Sequence, residues 1–506
     1  MSGRTDPEGL TEKGKIQVIR TSYELRKEQI DQILVSPVTR AKETALIFHH
    51  YFPDAVIKTA KWLTELHHGM LEGFYWWEKI HKISPEYRKH REDYGTPYPG
   101  GGESMQMMFE RISNGMENLI KHADQNAKIV LISHQAPITA LRYFLIYGGF
   151  EKLTTDKKKK KFMQYLHDVK LPNGGFVTVT CNGKILQTLD EVSHVEPVQE
   201  RKGNIEFYAK GLLDVDAVEG IRKVTASNHA VYYIRNSGDH LLKILHTEDS
   251  KSVKRHVAVY QYLREHGRSA PNIVFHDSTH EFYKNDVLIQ DYIEGTEQET
   301  CLHDHPQQAK NVLRYIYDEL HAIHQIPTTD VQEFWTPPVT KQFQSWKPFM
   351  LYNINLTLHM AQDTVFDQKT ERRIFQALGC LKDYIREGAY ARVPIHGDVA
   401  PGNIILSHGK TTCKLVRIID YEWTRIGDRL WDLAYYWGWL ERNNFSVALV
   451  WRAILNEHLS KKEQKALEWF RVLFHVWTVR DMFEYEGDSI RQERGKKSKE
   501  ILERES

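Results

Sequence analysis

The residues best suited to chemistry lie between His396 and Glu422, in the string HGDVAPGNIIL and, downstream, IIDYE. They set three side chains that handle magnesium and hydroxyl groups, Asp398, Asn403 and Asp420, at the edges of two apolar segments. Transfer of a γ-phosphoryl group runs through a loose transition state, so a protein contributes positioning, metal ions and a base for the attacking hydroxyl. Asp398 follows the apolar lead-in VPI, in a loop bent by Pro401 and Gly402, and Asn403 shares that loop. NIIL reads as a strand and KLVRIID as its β-branched hairpin partner, so Asp420, ending that strand, faces the same loop. Read as chemistry, Asp398 is the catalytic base, and Asn403 and Asp420 hold magnesium.

Such a site needs an upstream element that holds the phosphates of ATP. HAVYYIRNSGDHLLKILH reads as two strands joined by a turn, with Lys243 in the second, where its amine reaches the α- and β-phosphates. SVKRHVAVYQYLREHG reads as a helix, with Ser252 near its start and Gly267 beyond its end. Just before the first strand, Thr225 to Asn228 form a turn of small residues that lacks glycine, so an ordinary turn and a phosphate-covering loop both remain open.

The pattern H-G-D-x-x-x-x-N followed by I-D-x-E resembles the aminoglycoside phosphotransferase and choline kinase superfamily. GDRLWDLAYY resembles that family's G-D-P-x-x-D-L-A, with Arg429 where proline is usual. The resemblance implies a bilobal protein-kinase-like fold, ATP and Mg2+ as cofactors, and a small-molecule hydroxyl as acceptor. It makes the turn with Ser227 and Asn228 the phosphate-covering loop, and DVLIQDYIEG the hinge whose backbone from Gln290 to Tyr292 meets adenine. It makes YIYDELHAIHQIP the core helix, with structural histidines, and Asp432 a carboxylate bracing the catalytic loop. One departure stands out: His256 occupies the helix position where a glutamate normally pairs with the lysine. Either the register slips, Glu248 or Glu265 substitutes, or the lysine is held differently.

Acceptor choice falls to the helices after Asp420, where Trp431, Tyr435, Tyr436, Trp437, Trp439, Trp477 and Tyr485 concentrate. Aromatic faces near carboxylates can hold a cationic amine, which would suit an amino alcohol or aminosugar; packing of helix on helix explains the same rings.

The first half carries a second set of phosphate-handling residues. ILVSPVTRAKETA reads as a strand, a turn and a helix opening at Arg40, which sets a guanidinium beside a helix N-terminus. IVLISHQAPITALR repeats that plan around His134, and ELHHGMLEG, with Glu65, and GGGES lie between them. These strings resemble the histidine phosphatase superfamily, also called phosphoglycerate-mutase-like, a doubly wound α/β fold. The resemblance makes Arg40 and His134 phosphate ligands and Glu65 the acid. Its nucleophilic histidine, in an R-H-G motif on the first strand, has no counterpart after MSGRTDP, so an inactive domain is expected. Truncation of the first strand is the favoured explanation, with a natural pseudophosphatase as the alternative.

The reading therefore divides the chain into a histidine-phosphatase-like domain at 1–198, a linker at 199–206, a kinase-like domain at 207–490 and a charged tail at 491–506. As a fold this is α/β plus α+β. At 506 residues the chain is too long for one core, and a formal net charge of +1 argues against a dominant nucleic-acid partner. No apolar run approaches a membrane span and no signal core opens the chain, so a soluble cytoplasmic protein without a membrane partner is expected. Cys181, Cys301, Cys380 and Cys413 have no paired spacing and read as reduced thiols, and Cys301, His303 and His305 lack a fourth metal ligand. Lys157 to Lys161 read as a solvated basic run. Three functions remain: a small-molecule kinase beside an inactive phosphatase-like domain, a phosphometabolite-binding scaffold, and a bifunctional kinase and phosphatase. Oligomeric state is not legible.

Overall fold

The computed structural model describes residues 9–72, 93–169, 171, 173–182, 185–192, 197–213, 220–224, 230–235, 238–245, 252–268, 270–328, 345–361, 365–388, 390–408, 413–485 and 487–504. Two compact units emerge, one from residues 1–222, 234–237 and 277–285, the other from 223–233, 238–276 and 286–506.

In the first unit the order is α1 (Glu12–Leu25), β1 (Gln32–Val35), α2 (Thr39–Tyr51), β2 (Val56–Thr59), α3 (Met105–His122), β3 (Ile129–Ile132), α4 (Gln135–Tyr147) and α5 (Asp156–Asp168). The hairpin β4 (Phe176–Asn182) and β5 (Ile185–Val192) and the helix α6 (Lys202–Leu212) follow. Strands β2, β1 and β3 pair in that order and in parallel, with Ile33 opposite both Ile57 and Val130. Alternation along β1 splits its apolar run between two cores: Ile33 and Val35 pack with Ala41, Ala45 and Phe48, while Leu34 packs with Phe109, Ile112 and Ala140. A run such as QILV is therefore apolar throughout because helices cover both faces. The lysine run lies in α5, capped by Thr155, with Phe162 turned into the core. Helix α6 starts inside the segment read as a linker. Ile205, Tyr208 and Ala209 recur at helical spacing and are buried, a signal masked by the polar residues around them.

The chain continues with β6 (Gly220–Val224), β7 (Ala230–Arg235), β8 (Asp239–Leu245), α7 (Ser252–Glu265), β9 (Ile273–Asp277) and β10 (Asp286–Asp291). Their sheet runs β6-β7-β8-β10-β9, with β8 and β10 antiparallel and Lys243 opposite Leu288. Next come β11 (Thr296–Glu297), α8 (Gln298–Asp304), α9 (Ala309–His324), α10 (Trp346–Ala361), α11 (Gln368–Glu387), β12 (Val393–Ile395), β13 (Ile404–His408), β14 (Cys413–Ile418) and β15 (Arg425–Gly427). Four helices close the chain: α12 (Arg429–Asn443), α13 (Phe445–His458), α14 (Lys461–Glu484) and α15 (Ser489–Arg504). Helix α9 shows why they pack: Val312, Leu313, Ile316, Leu320 and Ile323 form one buried stripe at spacings of three and four. The charged C-terminal segment is the helix α15, and its Gly495, Ser498 and Leu502 are buried.

The cysteine reading needs correction. Cys301 in the middle of α8 and Cys413 at the start of β14, 112 positions apart, form a disulfide, while Cys380 is free. Sequence spacing carries no trace of this pair because the fold alone brings α8 beside the β13–β14 hairpin. Among the described residues no helix is long and apolar enough to cross a membrane.

Candidate active site

The β13–β14 hairpin forms as expected, with Ile404 opposite Ile418, and the Ile419 amide donates to the Asn403 carbonyl at 2.8 Å. That pairing brings the 396–403 loop against residues 419–420. Asn403 turns its Nδ2 back onto the Asp398 carbonyl at 3.0 Å and lies 3.4 Å from Asp398 Oδ2. Its amide nitrogen is thus committed to the loop, which leaves the Oδ1 side for a cation. Asp420 stands in the left-handed region at φ 67°, an uncommon conformation outside glycine that re-aims its carboxylate as the chain leaves β14.

Asp398 accepts a hydrogen bond from the Tyr435 hydroxyl at 2.7 Å. Burial pushes its carboxyl above the ordinary range, and Asp420 and Glu422 add to the rise, while Tyr435 and His396 oppose it. A carboxylate raised in this way binds a proton more tightly than an exposed aspartate does.

The loop is held from beneath by Asp432, which is wholly buried. It accepts from the His396 amide at 2.8 Å, the Gly397 amide at 2.9 Å and His324 Nε2 at 3.0 Å. His396 receives the Asp398 amide on Nδ1 at 3.3 Å and donates from Nε2 to the Ile419 carbonyl at 2.9 Å, which ties the loop to the strand end bearing Asp420. Gly397, at φ 84°, faces the Trp423 carbonyl where a Cβ would collide. Asp432 and the helix histidine His324 therefore position the loop, as the sequence led us to expect.

Lys243 is held differently from the family pattern. Its Nζ lies 2.6 Å from Asp420 Oδ1. Burial alone would lower the ammonium's pKa, but Asp420, Tyr260 and Glu422 outweigh it and raise it above the ordinary lysine value. Opposite, His256 on α7 is buried with Nε2 4.0 Å from Glu422 Oε2. The acid that supports the lysine thus comes from the IDYE segment, and the helix supplies a histidine instead. Glu265 is engaged by Gln261 on the same helix, and Glu248 lies outside the described residues.

Ser227 and Asn228 also lie outside the described residues. Gln290 is buried in β10 opposite Leu241, and the amides of Asp291 and Tyr292 donate to Asn272 and Asp239 at 2.9 Å each. Those two N–H groups are spent on the sheet.

In the first unit, β1, β3 and the segment after β2 bring Arg40, Glu65 and His134 together. Arg40 Nη2 donates to His134 Nδ1 at 3.0 Å, so the imidazole is neutral and donates from Nε2 to Ser36 Oγ at 2.8 Å. Burial, with Arg40 and Arg111, pushes His134 down to about 3. Glu65 is pushed by burial up to about 7, against the pull of the Leu66 amide, Arg40 and Arg111. Two supports escaped the sequence reading. Arg111 forks onto Glu103 through two contacts of 2.9 Å and donates to the Thr64 carbonyl at 3.0 Å, which clamps the segment leading into Glu65. Their signal was present in GGGES and FERI, eight positions apart across a helix start, but nothing local says that they face each other.

Residues 1–169 match the family model of the histidine phosphatase superfamily (branch 1), and residues 221–460 that of the phosphotransferase enzyme family. The first part of the chain is thus similar to the histidine phosphatase superfamily and the second part to the phosphotransferase enzyme family. Its first part is 32% identical over 139 residues to phosphoserine phosphatase 1 of Hydrogenobacter thermophilus, covering 28% of this chain and 64% of the relative. It is 30% identical over 135 residues to the metal-independent phosphoserine phosphatase of Arabidopsis thaliana, covering 26% and 56%. The chain thus spans somewhat over half the length of these curated relatives. Among solved structures, an aminoglycoside phosphotransferase, APH(4)-Ia, aligns with 14% identity and a TM-score of 0.46, over 60% of this chain and 99% of that one. An ethanolamine kinase of Plasmodium vivax aligns with 13% identity and a TM-score of 0.42, over 61% and 90%.

Proposed function

We propose that the second unit is an ATP-dependent phosphotransferase acting on a hydroxyl of a small metabolite. The observation that carries this reading is the convergence of Asp398 and Asn403 in one loop, Asp420 just after β14 and Lys243 in β8, with the Asp398 carboxyl raised above the ordinary range by burial and hydrogen-bonded by Tyr435. The donor set fits magnesium, which is held by one or two protein oxygens together with the nucleotide phosphates and needs no closed protein cage. The ion, when bound, neutralises phosphate charge. Asn403 Oδ1 and Asp420 would hold it.

In the proposed reaction the acceptor's O–H proton passes to Asp398 as its oxygen bonds to the γ-phosphorus, and the bond to the ADP oxygen breaks. Lys243, freed from or shared with Asp420, meets the phosphates. His396, Asp432 and His324 keep the Asp398 loop in register throughout. ADP release should be screened with amino alcohols, aminosugars, sugars and hydroxy acids, with Asp398→Asn as control. Acceptor-dependent ADP release that Asp398→Asn abolishes supports the reading; nucleotide binding with no acceptor-dependent release counts against it.

For the first unit we propose phosphate-monoester binding by Arg40 and His134, with Glu65 as the group that stays protonated near neutrality. The motivating observation is a part-buried guanidinium-imidazole pair beside a carboxyl raised to about 7. Vanadate binding that survives Arg40→Ala would sink it.

A further inference from the structure

The aromatic helices beside Asp398 invite an amine-bearing acceptor, but their rings carry guanidinium groups. Arg452 and Arg471 lie 5.5 and 5.0 Å from the Trp437 ring, Arg480 lies 5.0 Å from Trp477, and Arg491 lies 3.6 Å from Tyr485. Trp439 has Arg442 at 4.2 Å and Arg494 at 4.8 Å. Ring faces that already hold cations repel a third one nearby. The buried Tyr436 instead bonds Gln298, and Trp431 packs against Trp346, Phe470 and Trp477.

The arginines differ in what balances their charge. Arg471 pairs with Glu441 at 3.0 Å and Glu468 at 2.9 Å, Arg480 with Glu484 at 3.2 Å, Arg491 with Asp488 at 3.2 Å and Arg452 with Glu468 at 3.3 Å. Arg442 has no hydrogen-bond or ion-pair partner among the described residues, although it is 8% exposed and its Nε is enclosed. Such a cation is costly to bury without an anion.

Its position relates it to the reacting centre. Tyr435, Trp439 and Arg442 succeed one another at spacings of four and three, so they share a face of α12. The Tyr435 hydroxyl reaches Asp398, the Trp439 indole lies beside that hydroxyl, and Arg442 interacts electrostatically with Tyr435 while covering the Phe474 ring at 5.0 Å. Burial lowers the Arg442 pKa to about 10, still far above neutrality, so the guanidinium stays charged. Asp481 acts on it from a distance without forming an ion pair, and Arg494 adds a second positive charge from α15.

Resting on the kinase reading above, we propose that the phosphoryl acceptor is an anionic hydroxyl compound, a hydroxy acid or a phosphate-bearing alcohol, whose acid group is received by Arg442. The unbalanced guanidinium recognises the acid through a forked pair of hydrogen bonds. The acceptor's hydroxyl then lies toward Asp398, along the line of Tyr435.

The test uses the full chain with MgATP and four probes: glycerate, glycerol 3-phosphate, glycerol and ethanolamine. Transfer to an anionic probe should exceed transfer to glycerol or ethanolamine by at least about tenfold in kcat/KM, a difference of one forked contact. Arg442→Gln should raise KM for the anionic probe about tenfold or more while leaving nucleotide affinity unchanged, and Arg442→Lys should recover part of the loss. Preference for ethanolamine or glycerol, or an unchanged KM in Arg442→Gln, overturns the proposal. Should none of the probes be phosphorylated, calorimetric titration with glycerol 3-phosphate in the presence of a non-hydrolysable ATP analogue decides it, in an Arg40→Ala background that removes the other phosphate pocket. Binding lost in Arg442→Gln upholds the proposal, and equal or absent binding refutes it. Failure of the kinase reading shows separately, as transfer that Asp398→Asn leaves intact.

Discussion

Replacing Asp432 with asparagine tests the support beneath the catalytic loop without changing side-chain shape. The carboxylate serves three donors: Oδ2 receives His396 N and His324 Nε2, and Oδ1 receives Gly397 N. His324 can change tautomer and accept from an amide, but a backbone N–H cannot. Whichever way the asparagine turns, its NH2 group therefore faces either the His396 or the Gly397 amide, and one buried donor loses its acceptor. A charge-assisted bond accounts for about 1.5–3 kcal/mol and an orphaned buried donor for about 1–3, so a loss of roughly 3–5 kcal/mol is expected. The same loop carries Asp398, and a displacement near 1 Å there costs on the order of 100-fold in rate. Thermal unfolding followed with kinetics should show a lower melting transition of the second unit and a kcat reduced on the order of 100-fold, with KM for ATP little altered. Wild-type melting and wild-type kcat in Asp432→Asn would refute the assignment of the loop's rigidity to this carboxylate.

The raised pKa of Asp398 has two consequences. Because the folded state binds this proton more tightly than the unfolded chain, ionisation of Asp398 opposes folding above both pKa values and is neutral below the unfolded one. Asp398→Asn should therefore stabilise the protein at neutral pH in urea titrations, with the gain vanishing at low pH; a gain that grows on acidification would contradict this. The base form is also lost as pH falls through the raised value, so kcat should drop at a pH above that of an ordinary carboxylate. Exchange of Glu65 for glutamine, which mimics the protonated form, should leave phosphate affinity of the first unit nearly unchanged below about pH 7, read by vanadate titration, whereas Glu65→Asp should alter it. Non-reducing peptide mapping should recover Cys301 and Cys413 in one cross-linked species, and reduction should destabilise the second unit by about 4–5 kcal/mol for a loop of this length. Free alkylation of both thiols in the unreduced protein would refute the pairing.

Local chemistry explains which parts of the site could be read in advance. Asp398, Asn403 and Asp420 belong to one loop and one hairpin, so periodicity and turn residues alone place them side by side. Strands β1 and β3 and the helices after them were visible for the same reason, each apolar run ending at a polar side chain such as Arg40 or His134. The rest depends on partners far along the chain. Lys243 meets Asp420 across 177 positions, Tyr435 reaches Asp398 across 37, and Cys301 finds Cys413 across 112. A missing helix glutamate looked like a loss at the sequence level because the compensating acid, Asp420, sits in another lobe segment. An arginine in a helix is ordinary by sequence alone, and Arg442 stands apart only beside the ion pairs of Arg452, Arg471, Arg480 and Arg491.

The most direct test of the whole account follows the γ-phosphoryl group itself. The purified protein is incubated with MgATP and the small-molecule fraction of a cell extract, and 31P NMR is recorded for the wild type and for Asp398→Asn. The account predicts a new phosphomonoester resonance that appears with the wild type and is absent with Asp398→Asn. A resonance of equal strength in both proteins, or bound nucleotide with no new phosphomonoester at all, would contradict it.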